Sequence, residues 1–428
     1  MMPSSHPRPL PYIILALSAA FLFYKYVMQV FPSIMTPALQ STFHLSGAGL
    51  GNLAASFFYA YLVTQLFVGV WLDRYSPRLL STLAIAIAAI GTGWFAIATH
   101  TAEALLARAL MGAGAAFATV SYMKLSANWF PPHRFALISG LLATAAMLGA
   151  IFGQAPLAAL MDHVGWRHSL LICSVVGLTI AVLFALFVRD APTTSLTPTS
   201  HVRYRVSWQD IKTLLTKRDN WILTLYSGVI FTPLAVFGGL WGNPFIVAAY
   251  HTSNTKAASL ISCIFMGLAV GAPILGFISD RLAKRRPVML FSAFCALMSL
   301  ACVVYWNTLP VFAVSIFLFS FGFFTGAFML CFAIGKEMNA ATLAASVVAL
   351  INTGDSIFGS FTEPFIGQVL DWLSPGSVDT YSIHSYHIAL SLLLIYLVGG
   401  LVLLCFLRAP EGRAFSQEPA SLAESNAF

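Results

Sequence analysis

The chain has 428 residues, 59% of them hydrophobic and only 9% charged, with a formal net charge of +7. A soluble domain carries about 25% charged residues, so a large soluble helical protein is excluded and an all-α polytopic membrane protein is implied. The basic excess lies in segments between apolar runs, where it orients the chain in a bilayer, so no nucleic-acid partner is expected.

The first apolar run, Tyr12 to Met35, is about 20 residues or longer and lacks a small-residue cleavage site, so it reads as a spanning helix and not a signal peptide. Lys25 lies near its middle, between Tyr24 and Tyr26. Gly47 to Val70 follows and runs into a turn of pattern Gly-x-x-x-Asp-Arg, carried by Gly69, Asp73 and Arg74, with Arg78 beyond it. Leu79–Thr99, Ala102–Lys124 (containing Arg108), Phe135–Leu160 and Ser169–Val188 complete six spans. A polar segment rich in Pro, Thr and Ser then runs to Asn220, and Trp208 to Leu215 within it has the pattern of a short amphipathic surface helix.

The second half repeats the plan. Trp221–Phe245 contains Trp241, Gly242, Asn243 and Pro244, and Ala257–Ile278 runs into a second Gly-x-x-x-Asp-Arg turn at Gly276, Asp280 and Arg281. Val288–Trp306, Val311–Ile334, Ala344–Leu370 (carrying Asp355 and Glu363) and Ile388–Leu407 bring the total to twelve. The two turns lie 207 positions apart, and Ile151-Phe152-Gly153 recurs as Ile357-Phe358-Gly359 at an offset of 206. Six spans per half return the chain to the same side, so the repeat is parallel. The expected organisation is a six-helix bundle over 1–188, a linker over 189–220, a second bundle over 221–408 and a tail over 409–428. With the N-terminus inside, seventeen Lys and Arg fall on the cytoplasmic side and only Arg167 and Lys256 outside. Both termini are therefore expected in the cytoplasm.

Twelve spans, a basic central loop, both Gly-x-x-x-Asp-Arg turns and Arg108-x-x-x-Gly112-x-Gly114 in the fourth span together resemble the major facilitator superfamily. That resemblance covers essentially the whole chain. Tyr24-Lys25-Tyr26, Pro32-Ser33-Ile34-Met35 and Trp129-Phe130-Pro131-Pro132 look like a group of bacterial inner-membrane permeases that includes phagosomal nutrient transporters and carboxylate-siderophore permeases. The resemblance implies a twelve-helix fold, alternating access, and a cytoplasmic latch between the halves made by Gly69, Asp73, Arg74, Gly276, Asp280 and Arg281. The same turns also serve as topogenic basic loops. Gly140, Gly149 and Gly153 resemble the glycine skeleton of an antiporter motif, but Gln154 stands where that motif has proline, which weakens an efflux reading. Glycines so spaced also serve close helix packing.

A charge near mid-bilayer costs at least ~2.5 kcal/mol on insertion scales, which makes Lys25, Arg108, Asp355 and Glu363 the candidate functional set. Lys25 is read as meeting an anionic solute group, assisted by Tyr24, or a carboxylate such as Asp355; a purely structural ion pair is the alternative. Arg108 holds its proton at all working pH, so it binds solute or tunes a neighbouring carboxylate. Asp355 and Glu363 are the candidate proton carriers, about 12 Å apart along one helix. Lys124 lies near an inner helix end and can reach the cytoplasm. Asn243, between Gly242 and Pro244, is a candidate solute contact.

The six cysteines and ten histidines form no metal spacing, and no P-loop occurs. Metal sites, cofactors, enzyme chemistry and ATP-driven transport are therefore not expected. The expectation is a monomeric, proton-coupled secondary transporter importing a small anionic or zwitterionic solute. Proton-driven efflux of amphipathic compounds is the first alternative, and a non-transporting receptor or scaffold on the same fold is the second.

Overall fold

A computed structural model describes residues 10–131, 134–190, 208–340, 343–374 and 381–407. The tail and most of the linker, with Arg203 and Arg205, lie outside the described residues, as does the side chain of Asp73. Among the described residues the regular structure is helical.

The first predicted span is two helices, α1 (Leu10–Val30) and α2 (Pro32–Phe43), broken at Phe31. Pro32 brings no N–H to the ladder, so the chain can only restart there, with proline at the first helical position. Ser46 then caps α3 (Gly47–Arg74), its hydroxyl accepting the Gly49 N–H at 3.2 Å, and Ser76 caps α4 (Pro77–Ile97) in the same way. The fourth span is α5 (Thr101–Ala115) and α6 (Phe117–Trp129). The fifth, α7 (Phe135–Phe152) and α8 (Ala155–Val164), breaks at Gly153 and Gln154 ahead of Pro156. The sixth is α9 (Trp166–Phe187), and the linker contributes α10 (Trp208–Thr216), in the place expected of a surface helix.

In the second half, α11 (Arg218–Val236) passes through a π-turn, Phe237–Trp241, into α12 (Gly242–Tyr250). Then come α13 (Asn254–Leu282), α14 (Arg285–Tyr305) and α15 (Val311–Thr325), which a tight 3-10 turn joins to α16 (Leu330–Met338). The last two are α17 (Ala344–Leu373) and α18 (Ile383–Phe406). The repeat reaches the backbone. His44 and His251 both take the left-handed conformation at φ 50°, and each is followed two residues later by the serine that caps α3 or α13.

Eleven stretches among the described residues are long and apolar enough to cross a membrane. The remaining predicted span is α17, a continuous helix of 30 residues that carries Asp355, Glu363 and Asp371 and is not among them. Such a helix needs protein and not lipid against the face that carries its polar groups, and Phe361, Phe365 and Trp372 are exposed on another face. Burial ranks the spans accordingly: 78% of the Arg218–Tyr250 window is buried, against 28% of Trp166–Phe187, so α11–α12 lies at the centre and α9 on the lipid face.

The halves are joined by α3 against α17, by α7 and α8 against α13, and by α2 against α12 and the π-turn. The backbones approach closely at Gly47 and Gly367, where a side chain on either would collide with the carbonyl oxygen of the other. Gly69 and Gly276, in the repeated turns, have nothing within 4 Å of where a side chain would begin. The close helix approach expected of those two glycines is therefore absent in this conformation, because the halves meet at the Gly47 end.

Gly149 packs directly on the Phe23 carbonyl, unlike Gly69. Gly149→Leu is expected to destabilise the protein by about 3 kcal/mol through overpacking, and Gly69→Leu to stay within about 0.5 kcal/mol of the parent. Thermal unfolding in detergent measures both; equal effects would contradict the packing described.

Candidate functional site

The break in the first span creates the site. Pro32 has no N–H, so the Met28 carbonyl loses its helical partner inside a low-dielectric bundle, where an unsatisfied carbonyl is costly. Arg108, on α5, fills the gap: one Nη donates to the Met28 oxygen and the other to the Gln29 oxygen at 2.9 Å. Its guanidinium lies against the Phe31 and Phe57 rings, 4.6 and 4.8 Å from their centroids, and is 1% exposed. Its Nε has no hydrogen-bond partner. The predicted fourth-span arginine is thus a clamp on α1 with one donor to spare.

Glu363, on α17, is 2% exposed, and its Oε2 also lacks a partner. It interacts electrostatically with Arg108 across the boundary between the halves. Its backbone carbonyl accepts the Trp241 indole N–H at 3.0 Å, which ties α17 to the π-turn. Tyr59, on α3, lies in the same field and hydrogen-bonds the Ser360 carbonyl at 3.3 Å.

About one helical turn from the Met28 and Gln29 carbonyls along α1 lies Lys25, 6% exposed. Its Nζ is 3.6 Å from the centroid of the Tyr26 ring and 5.4 Å from that of Tyr61, a cation–π setting. Asp355 is within electrostatic reach of both tyrosines and accepts a hydrogen bond from Ser227 at 2.5 Å. Among the described residues no carboxylate lies within ion-pair distance of Lys25. The direct Lys25–Asp355 bridge weighed from the sequence is therefore not made; the two charges share a neighbourhood with tyrosine rings beside them.

The other two expected solute contacts, Tyr24 and Asn243, are engaged with protein neighbours. Tyr24 points into the first half, where its hydroxyl is 3.0 Å from Thr92 Oγ1 and its ring packs on Gly177. One residue is 100° of helix, so Tyr26, not Tyr24, shares the face near Asp355. Asn243 donates through Nδ2 to the Ser33 carbonyl at 3.2 Å and to Asn254 Oδ1 at 2.8 Å. It works as a strut between the halves, although its Oδ1 is left without a partner.

Similar struts cluster around it. Gln154 donates to the Gly238 carbonyl of the π-turn at 2.9 Å and accepts from the Ser33 hydroxyl at 3.1 Å. Asn254 donates to the Ile34 carbonyl at 2.9 Å, and Asp371 and Asp162 each reach the start of a helix in the other half. At the opposite end the second of the repeated turns serves its own half. Asp280 is 3.2 Å from Arg285, which also pairs with Glu337 at 2.5 Å, while Arg74 and Arg281 are exposed. The inter-half latch expected at this end is not made by Asp280 here.

The contacts of Gln154, Asp162 and Asp371 are not marked by any pattern in the chain. Gln154 is visible only as a departure from a motif, and the two aspartates belong to no motif. Their positions in last helical turns, where a carboxylate is unfavourable for its own helix, were the available signal.

Residues 16–363 match the profile of the Major Facilitator Superfamily. The chain belongs to the Major Facilitator Superfamily. It is 26% identical over 269 residues to the hexuronate transporter of Bacillus subtilis, a match covering 61% of this chain and 63% of that protein's length. It is 24% identical over 380 residues to the probable L-galactonate transporter of Escherichia coli, covering 84% and 80%. In structure it is similar to a bacterial homolog of the human lysosomal transporter Spinster in an inward-facing, occupied conformation. The TM-score is 0.80 at 14% identity, over 94% of this chain and 97% of that one. These superfamily relatives are named as transporters, not enzymes.

Two substitutions separate clamp from contact. Arg108→Lys is expected to lose about 3 kcal/mol of stability, because an ammonium cannot replace the guanidinium fork on two carbonyls; thermal unfolding reads it. Tyr24→Phe should lose about 1 kcal/mol with the solute KM unchanged, and a large rise in KM would return Tyr24 to the binding site.

Proposed function

We propose that this chain is a secondary transporter that imports a small carboxylate-bearing solute, together with a proton, across the bacterial inner membrane. The observation that carries the reading is Lys25. It is a cation buried in the middle of a span, with no carboxylate at ion-pair distance among the described residues. A charge in that position calls for a counter-charge, and a solute carboxylate arriving between the halves supplies it. The names of the hexuronate and L-galactonate transporters support a sugar acid as the class to test first.

Proton coupling rests on how the charges are distributed. The first half carries the cations, Lys25 on α1 and Arg108 clamped to α1. The second half carries the carboxylates, Asp355 and Glu363 on α17. An ionised carboxylate competes with the solute for the same cations, whereas a protonated one does not. Solute and proton therefore bind best together. Glu363 is assigned the coupling role through Arg108, and Asp355 modulates the field at Lys25. On the loop charges, the repeated Gly-x-x-x-Asp-Arg turns face the cytoplasm. The joined Gly47 end is then external, and the conformation described is open inward with the cytoplasmic latch released. Residues 1–188 and 221–408 act as the two rocking bundles.

Proteoliposomes loaded with hexuronate, aldonate, dicarboxylate and amino-acid panels test the assignment. Uptake is expected to rise as the outside is acidified relative to the lumen, and uptake indifferent to the pH gradient would remove the proton from the mechanism. Lys25→Ala should lower uptake by about a hundredfold; intact anion transport in that variant would overturn the substrate assignment. Glu363→Gln should retain solute counterflow and lose accumulation against a gradient.

A further inference from the structure

At the joined end, two aspartates stand in related positions. Asp371 lies in the last turn of α17, and its carboxylate crosses to the other half to meet the first turn of α3. Oδ1 accepts the Gly47 N–H at 2.7 Å and the Tyr381 hydroxyl at 2.8 Å, and Oδ2 accepts the Ala48 N–H at 2.9 Å. Asp162 lies in the last turn of α8 and crosses the other way, accepting the hydroxyl of Thr255 in the first turn of α13. Ala48 and Thr255 are 207 positions apart, the offset of the internal repeat, and each is the second residue of its helix.

The electrostatics favour this placement only when the halves are together. A carboxylate in a last helical turn faces the negative end of its own helix dipole. In the first turn of a partner helix the same carboxylate meets the positive end, and Asp371 also takes two free N–H groups. Separation of the halves at this end reverses the situation for both residues. Gly47 and Gly367 permit the approach, since a side chain on either would hold α3 and α17 apart.

We infer that Asp371 and Asp162 are paired gate carboxylates that hold the Gly47 end shut by binding the first turns of α3 and α13 across the boundary between the halves. The two are unequal. Asp371 takes three donors, two of them backbone N–H groups, while Asp162 takes one hydroxyl. The α3–α17 contact is therefore the principal latch and the α8–α13 contact the weaker one. The inference rests on the alternating-access reading for its role in a cycle, but the latch itself is testable without any solute.

The test uses the full chain with its six native cysteines replaced, in nanodiscs without solute. A nitroxide pair at Ser41→Cys and His384→Cys reports the Gly47 end, and a pair at Val70→Cys and Ala349→Cys reports the opposite end. Asp371→Asn is expected to shift the population toward a separated Gly47 end by about tenfold, with the opposite end narrowing. Asp162→Asn and Thr255→Val should each shift it by about threefold or less. Tyr381→Phe keeps both backbone caps and should fall between, and it decides the matter if Asp371→Asn does not fold. Unchanged distances in folded Asp371→Asn, or in Tyr381→Phe where Asp371→Asn misfolds, would overturn the inference. Counterflow on the same preparations separates the two readings: a latch shift in a protein that transports nothing sinks the transport proposal and leaves the gate.

Discussion

The architecture of the site depends on a proline that removes one hydrogen-bond donor from the first span. Without an N–H at Pro32, the Met28 carbonyl has no helical partner, and in a bilayer-spanning bundle that vacancy is intolerable unless protein fills it. Arg108 fills it and takes the Gln29 carbonyl as well. In doing so it buries a permanent positive charge between the Phe31 and Phe57 rings, close to the boundary with the second half. The break and the cation are thus one feature. The π-turn in the seventh span has a related consequence: it leaves the Gly238 carbonyl open to Gln154 from the other half and presents the Trp241 indole to the Glu363 backbone.

Segregating cations on one half and carboxylates on the other makes the field between them depend on how far apart the halves stand. The Arg108–Glu363 couple shows this arrangement most plainly: each side chain keeps one buried polar atom unpartnered, Nε and Oε2. Closed together, the two would compensate each other; held apart, both want a third party. That is a reason for a site of this kind to be built across a moving boundary and not inside one bundle.

Much of this was legible in the chain. Composition excluded a soluble fold, apolar runs placed the spans, and a common offset revealed the repeat that His44 and His251 later echoed in the backbone. Lys25, Arg108, Asp355 and Glu363 stood out because charge in a span is costly, and all four lie toward the interior. What a linear reading lacked was azimuth and conformation. It does not tell Tyr24 from Tyr26, which two helical steps of about 100° each turn to nearly opposite faces. It does not reveal that the Asn243 amide nitrogen joins Ser33 and Asn254. The repeated Gly-x-x-x-Asp-Arg turns name the machine, but in this conformation the halves meet at the opposite end.

That joined end carries polar crossings beside apolar contacts that run between the halves, and the polar crossings have a mechanical logic. An extended apolar interface grows more stable with every Å² it buries, and a gate built so would resist opening in proportion to its area. Hydrogen bonds exchanged for water cost about 1 kcal/mol each to break, so struts such as Gln154, Asn243 and Asn254 hold the halves in register without locking them. The Gly47–Gly367 crossing adds close contact with no side chains to interdigitate. Register between the halves is thus set by close backbone contact and by directional polar bonds, beside an apolar core that both halves share.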